Sequence, residues 1–279
     1  MRQWQLGLVV VGFTTVMVVG YRTEPEPEDP LPFVYQTAAE MLPSYVAGVL
    51  MYDDDGHPQG AANAFVVDAR QGILMTNAHV VASQRNFRVW LQGAWFSADV
   101  VVPVDWLHDL ALLKLRSHRG IPVAMAPIGV LPTQGDVVTV YSQMASKEEG
   151  AIVLSPRVSY GLVLDSRFAM EPMLTSGELA QTVLSILFPH PCSLTDLRSL
   201  PLIYGDFVPV ILTDMNPEHR GQSGSPVVDS QGFVVGVFAM TGAPHDPMLQ
   251  NVALIIPTRQ GSALLDHWHS HAEIRTPCS

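Results

Sequence analysis

Gly221-Gln222-Ser223-Gly224-Ser225-Pro226 sets one serine between glycines in what reads as a tight turn. Alone, such a turn says little, because a serine hydroxyl is a weak nucleophile at neutral pH. It gains meaning when a histidine can take its proton, a carboxylate can orient that histidine, and backbone N–H groups can hold an oxyanion. Working outward, Thr76-Asn77-Ala78-His79-Val80-Val81 offers the histidine. His108-Asp109-Leu110-Ala111-Leu112-Leu113-Lys114-Leu115 offers the carboxylate. The parts run His79, Asp109, Ser223 along the chain, separated by 30 and then 114 residues. Each has an ordinary explanation singly: a surface histidine, a turn aspartate, a loop serine. Their joint occurrence in this order makes coincidence a poor account.

The stretches around these residues read as an all-β body from Phe33 onward, short apolar runs broken by turn residues. Strands are expected at 45–52, 64–68, 73–76, 87–91, 98–102 and 110–115, then at 137–141, 151–154, 158–163, 208–213, 227–229, 233–240 and 251–256. Asp53-Asp54-Asp55-Gly56 reads as a hairpin turn and lacks the further spaced oxygen ligands of a calcium loop. One region breaks the rhythm. Thr175-Ser176-Gly177-Glu178 has capping-box spacing, with Leu179, Val183, Ile186 and Leu187 following at helical intervals. We therefore expect a partly helical insertion over 165–207, either a lid or specificity element or a packed excursion without a catalytic role. A helix is expected over 257–271, with Ala263, Leu264, Leu265 and Trp268 as its apolar face.

The 279 residues are 48% hydrophobic and only 15% charged, which describes a folded protein. A net charge of −11 argues against nucleic acid, which requires a basic stripe. Leu6 to Gly20 is an uninterrupted apolar stretch behind Arg2. At 1.5 Å per residue it spans about 22 Å, short of a ~30 Å hydrocarbon core. It suits a signal peptide (residues 1–21) or an N-terminal membrane tether through 6–20, with 22–32 as a Pro/Glu-rich spacer. Either places the remainder outside the cytoplasm, in the periplasm or secreted. Cys192 and Cys278 admit one disulfide or two separate thiols. His267, His269 and His271 do not share a helix face and read as solvated tail residues, so no metal is expected.

TNAHVV, HDLALLKL and GQSGSP together resemble the His, Asp and Ser segments of the trypsin-like (chymotrypsin-fold) serine proteases, in particular the Deg/HtrA type without a PDZ domain. The similarity covers roughly 46–258. It implies two six-stranded β-barrels, about 33–125 and 126–257, followed by a helix at 258–271, with the insertion in the second barrel. It also implies Ser223 as nucleophile, His79 as general base and then acid, and Asp109 as the group that holds the imidazole. The N–H groups of Gly221 and Ser223 would form an oxyanion hole. The activity implied is an exported serine endopeptidase acting on proteins or peptides without a cofactor. The alternative is a catalytically inactive, protease-like peptide-binding protein. An α/β-hydrolase esterase would show a different chain order.

Three positions depart from the family pattern. Ser225 stands where most relatives have glycine, and Ala64 where a glycine usually precedes the histidine segment. Gln222 is neutral where digestive relatives carry an aspartate, which excludes the ion pair of trypsin-style zymogen activation. The strand Phe238-Ala239-Met240-Thr241 is expected to line the primary pocket, apolar through Phe238 and Met240, favouring cleavage after small or medium apolar residues.

Overall fold

The computed structural model describes residues 34–36, 42–53, 55–82, 86–105, 108–117, 125–148, 151–170, 208–215, 221–241 and 252–270. The first barrel is built from β2 (Val46–Tyr52), β3 (Pro58–Asp68), β4 (Ile73–Thr76), β5 (Asn86–Leu91), β6 (Ala94–Asp105) and β7 (Leu110–Leu115). They close in the order β2-β3-β4-β7-β6-β5, with β5 returning to β2, all antiparallel. Its hairpins follow turn chemistry. Gln92 and Gly93 both have positive φ (51° and 80°), the two-residue loop whose twist matches a β-hairpin, here joining β5 to β6. At the β2–β3 turn Asp53 Oδ1 accepts from the backbone N–H of Asp55 (3.1 Å) and His57 (2.7 Å). That Asx-type geometry accounts for the acidic cluster as a turn.

The second barrel comprises β8 (Val137–Glu148), β9 (Ala151–Met170), β10 (Val208–Thr213), β11 (Pro226–Val228), β12 (Val234–Thr241) and β13 (Ala253–Pro257). Their order is β9-β10-β13-β12-β11-β8, closed by β8 on β9. Two expected strands, 151–154 and 158–163, are one: the β8–β9 ladder runs unbroken from Val137↔Leu162 to Glu148↔Ala151. Ser155-Pro156-Arg157 suggested a break, but Pro156 lies between the β9 residues that meet other strands at 152–154 and at 163–170, so among the described residues it faces a partner strand on one side only. β9 also continues to Met170, so Asp165 to Met170 belong to a barrel strand rather than to the expected insertion. The expected insertion helix falls in 171–207, outside the described residues, as do both cysteines and residues 1–33. β1 (Val34–Gln36) pairs in parallel with Ile152–Leu154 of β9, so these residues belong to the second barrel and not to the first.

Burial explains the closure. One core cluster joins Phe65, Leu74, Leu110, Leu112 and Leu113 of the first barrel to Val210, Val234 and Val237 of the second. A second cluster, including Val138, Val140, Ile211, Val227 and Ile255, fills the second barrel alone. Each such side chain contributes about 1.5–3 kcal/mol relative to exposure. Helix α2 (Thr258–Ser270) leaves β13 of the second barrel and packs against the shared cluster through buried Leu264 and partly buried Leu265 and Trp268. Lys114 of β7 places its Nζ 5.4 Å from the Trp268 ring, and His269 Nε2 bonds Asp68 at 3.1 Å. These contacts fasten the helix to the first barrel. Among the described residues no helix is long and apolar enough to cross a membrane.

Candidate active site

His79 is presented by the helical turn α1 (Ala78–Val81) that follows β4. Ala78, Val80 and Val81 are buried, so the turn is pinned by its apolar residues and the intervening histidine is left 38% exposed. Asp109 enters from the other side, immediately before β7. Its φ of +53° is a left-handed conformation that aspartate tolerates better than most residues. That conformation lets the carboxylate reach α1. Oδ1 accepts the His79 backbone N–H at 2.9 Å, while His79 Nδ1 lies 3.0 Å from Oδ1 and 2.8 Å from Oδ2.

The carboxylate therefore fixes the neutral tautomer with the proton on Nδ1 and a free acceptor at Nε2. Burial pulls the His79 pKa down. The hydrogen bond and negative charge of Asp109 outweigh it, so the net shift is upward from 6.5.

Ser223 sits in a turn closed by Ser225 N–H to Gln222 C=O at 3.0 Å. Gly224 follows with φ +82°, and a Cβ there would fall 1.9 Å from the Asn63 carbonyl and 2.4 Å from Thr76 Oγ1. Only glycine fits this approach between the barrels. Among the described residues, no acceptor meets the N–H of Gly221 or of Ser223, which leaves both donors open. The Ser223 hydroxyl, however, donates to the Ala239 carbonyl at 3.0 Å rather than to His79. The structure thus brings His79 and Asp109 into direct contact, with Ser223 hydrogen-bonded elsewhere.

The departures resolve individually. Ser225 is fully buried and its hydroxyl donates to Ser142 Oγ at 3.0 Å, so the added side chain is accommodated by β8 instead of crowding the turn. Gln222 is also buried and donates to Ser159 Oγ of β9 at 3.1 Å, an uncharged tether for the turn. Ala64 is buried in the first core.

The pocket expectation needs correction. Phe238 is only 3% exposed and belongs to the second barrel's core cluster, so it fills that core rather than an open cleft. Phe238 packs into the second barrel's cluster and Met240 against the cluster shared by both barrels, with a register shift in the β12–β13 ladder between them. Ala239 is buried, with its carbonyl reaching Ser223; Met240 is half-buried. The Thr241 side chain lies outside the described residues, as do those of His267 and His271.

Two buried residues at the site had no role in the sequence reading, Asn63 and Asn77. Asn77 occupies the N-cap position of α1, a frequent place for asparagine, yet makes no capping bond. The Asp109 carboxylate caps His79 N–H instead. The Asn77 amide donates to the Asp109 carbonyl at 3.1 Å and accepts from Gly224 N–H at 2.6 Å. Asn63 donates from its backbone to the Ser223 carbonyl at 2.7 Å and from Nδ2 to the Gly221 carbonyl at 2.8 Å. The visible signal was a lone polar residue inside the apolar run Ala61-Ala62-Asn63-Ala64-Phe65.

Comparison with known proteins agrees with this geometry. Residues 62–237 match the trypsin-like peptidase domain family. The chain is similar to the mitochondrial serine protease HTRA2 of Bos taurus, 28% identical over 66% of this chain and 32% of that protein. It is similar to the human serine protease HTRA4 (24% identity, 86% of this chain, 42% of that protein). It is also similar to the chloroplastic Protease Do-like 1 of Arabidopsis thaliana (24%, 79% and 42%). The matched span is thus between about a third and two-fifths of these relatives' length. Among solved structures, the inactive mutant form of Rv3671c from M. tuberculosis H37Rv shares the fold, with a TM-score of 0.55 at 18% identity, covering 83% of this chain and 90% of that one.

Proposed function

The chain belongs to the trypsin-like peptidase family, and we propose that it is a serine endopeptidase that hydrolyses proteins or peptides through an acyl-enzyme. The observation that carries this reading is the His79 imidazole gripped at Nδ1 by both Asp109 oxygens, which leaves Nε2 ready to accept a proton. In the proposed cycle Ser223 Oγ rotates from the Ala239 carbonyl towards Nε2 and attacks the scissile carbonyl, passing its proton to His79. The oxyanion is received by the open N–H groups of Gly221 and Ser223, where losing one donor in a comparable site costs about 10²–10³ in rate. His79 then returns the proton to the leaving amine, and the ester at Ser223 is hydrolysed by water activated in the same way. Asp109 holds the imidazole through Nδ1 and stabilises the imidazolium that forms. No step calls for a cofactor.

Export belongs to the same proposal, on the strength of the apolar Leu6–Gly20 stretch, with release or tethering decided by N-terminal sequencing of the mature protein. With Phe238 in the core, the apolar preference at the primary pocket rests on Met240, and a peptide-library cleavage profile tests it. The central test is labelling of the purified protein by a fluorophosphonate probe. Labelling that disappears in Ser223→Ala is expected; a folded protein that never labels sinks the proposal. The second reading, an inactive protein that binds peptides, draws on the Ser223 hydroxyl's bond to Ala239. Peptide binding without hydrolysis, unchanged by Ser223→Ala, would favour it.

A further inference from the structure

We infer that Asn63 and Asn77 are positioning residues: two buried asparagines of the first barrel that clamp the Ser223 turn of the second in register with His79 and Asp109. Both side chains are fully buried, so an unpaired amide at either place would be costly. Asn77 bridges the Asp109 carbonyl and the Gly224 N–H, linking the residue that holds the histidine to the residue after the serine. Asn63 uses all four of its polar groups. Its N–H and Nδ2 hold the Ser223 and Gly221 carbonyls, its carbonyl accepts from Thr76 Oγ1 at 2.7 Å, and its Oδ1 accepts from Gln143 N–H.

The amide orientations are forced by these partners. A carbonyl must meet an NH₂ and an N–H must meet an oxygen, so flipping either amide would create two mismatches. The bonds cross 147 and 158 residues of sequence, and with the Asn63 N–H bond they hold the Gly221–Gln222 and Ser223–Gly224 peptide groups of the turn. They also explain why Asn77 forgoes the capping bond its position invites. Neither amide is placed to touch a substrate; each acts through the turn. A displacement of about 1 Å at a reacting group costs around 10²-fold in rate, which is the scale expected when one tether is cut.

The inference rests on the serine-protease reading, and the experiment separates the two. Asn63→Asp keeps the acceptor for Gln143 and loses the donor to Gly221. Asn77→Asp keeps the acceptor for Gly224 and loses the donor to Asp109. Both preserve shape, and Asn63→Ala and Asn77→Ala serve as a second set should a buried carboxylate impair folding. The full-length protein in detergent is assayed for fluorophosphonate labelling rate and for kcat and KM on a peptide it cleaves, at a temperature where circular dichroism shows each variant folded. We expect kcat and labelling to fall about 10²-fold with KM within about threefold, and the double variant to lose less than the product of the singles, because both tethers hold one turn. A folded variant of each asparagine with kcat within threefold of wild type overturns the inference and leaves the protease reading intact. Losses that merely follow the unfolded fraction overturn it too, as a structural role only. A wild type that neither labels nor cleaves overturns both.

Discussion

Replacing Asp109 by asparagine tests the proposed mechanism most directly, because it changes one atom of the side chain and leaves its shape. The carboxylate accepts the His79 backbone N–H at 2.9 Å and faces Nδ1 at 3.0 and 2.8 Å. In Asp109→Asn the retained oxygen can still accept the backbone N–H, which turns the new NH₂ towards Nδ1. Two donors then oppose each other unless the imidazole moves its proton to Nε2, and a protonated Nε2 cannot take the proton of Ser223. In a comparable triad this tautomer switch costs about 10⁴ in kcat, or about 5.4 kcal/mol at 1.36 kcal/mol per tenfold.

The same change has a signed pH signature. Burial lowers the His79 pKa, and the Asp109 hydrogen bond and charge raise it by more, so the folded value lies above 6.5. The base works only when neutral, so wild-type kcat/KM should rise with pH through a midpoint above 6.5. With the asparagine only burial remains, and the midpoint of any residual activity should move below 6.5. Stability shifts in the corresponding sense. A raised histidine pKa stabilises the fold fully below the unfolded value near 6.5, and that contribution is lost as pH climbs through the folded value. Asp109→Asn should therefore lower the melting temperature more at pH 5 than at pH 8. The assay is kcat/KM from pH 5 to 9, normalised to probe-titrated active sites. A loss under about tenfold, or a midpoint that does not move down, refutes the assignment of Asp109 as the orienting group.

Three further outcomes are expected. Gly224→Ala must relieve a Cβ at 1.9 Å from the Asn63 carbonyl and adopt φ near +82°, so fluorophosphonate labelling should fall by more than about 10²-fold while far-ultraviolet circular dichroism stays β-rich. Ser142→Ala or Ser225→Ala leaves a fully buried hydroxyl without its partner and should cost about 1–3 kcal/mol in denaturant unfolding. The double alanine variant should cost clearly less than the two singles together. Tyr45, whose burial, aided by the nearby Tyr141, pushes its phenol up to about 12, should give a phenol step near that pH by ultraviolet absorbance, absent in Tyr45→Phe. Since its folded pKa lies above its unfolded value near 10, its contribution to stability is full below pH 10 and should fall by about 2 kcal/mol as pH rises from 10 to 12.

The β architecture was legible wherever turn residues and β-branched runs punctuate the chain, as at 73–76 and 110–115, where expectation and structure coincide. It was less legible where strands outrun their apolar runs. Pro58 to Asn63 carries no β-branched residue, yet pairs along β2 because its partner is fixed on both sides. The pocket strand misled for a related reason. The apolar character of Phe238 and Met240 does not tell a pocket lining from a core, and the register shift between them depends on β13, which sequence alone does not align. At the site, residue types and order announced His79, Asp109 and Ser223. Asn63 and Asn77 stayed silent because their meaning lies in partners some 150 residues away; the one local signal, a polar residue inside the apolar run at Asn63, marks burial but not the turn it holds.

That interface also bears on the choice between an enzyme and an inactive binder. The bond from Ser223 Oγ to the Ala239 carbonyl is one part-buried hydrogen bond between neutral groups, worth about 1 kcal/mol net. Breaking it to turn the hydroxyl towards Nε2 reduces the competent population by a factor of about five, a small correction beside the many orders of magnitude that separate a protease from an inert relative. Loss of turnover would require damage that a rotamer change cannot repair: a missing base, a displaced carboxylate, or donors consumed by the protein itself. His79 and Asp109 are engaged with each other, and the Gly221 and Ser223 N–H groups meet no acceptor among the described residues. The resting hydroxyl position is therefore weak support for inactivity. The stronger constraint on turnover is whether the Ser223 turn stays seated on the first barrel, since every group in the proposed cycle except the imidazole and its carboxylate is delivered by that turn.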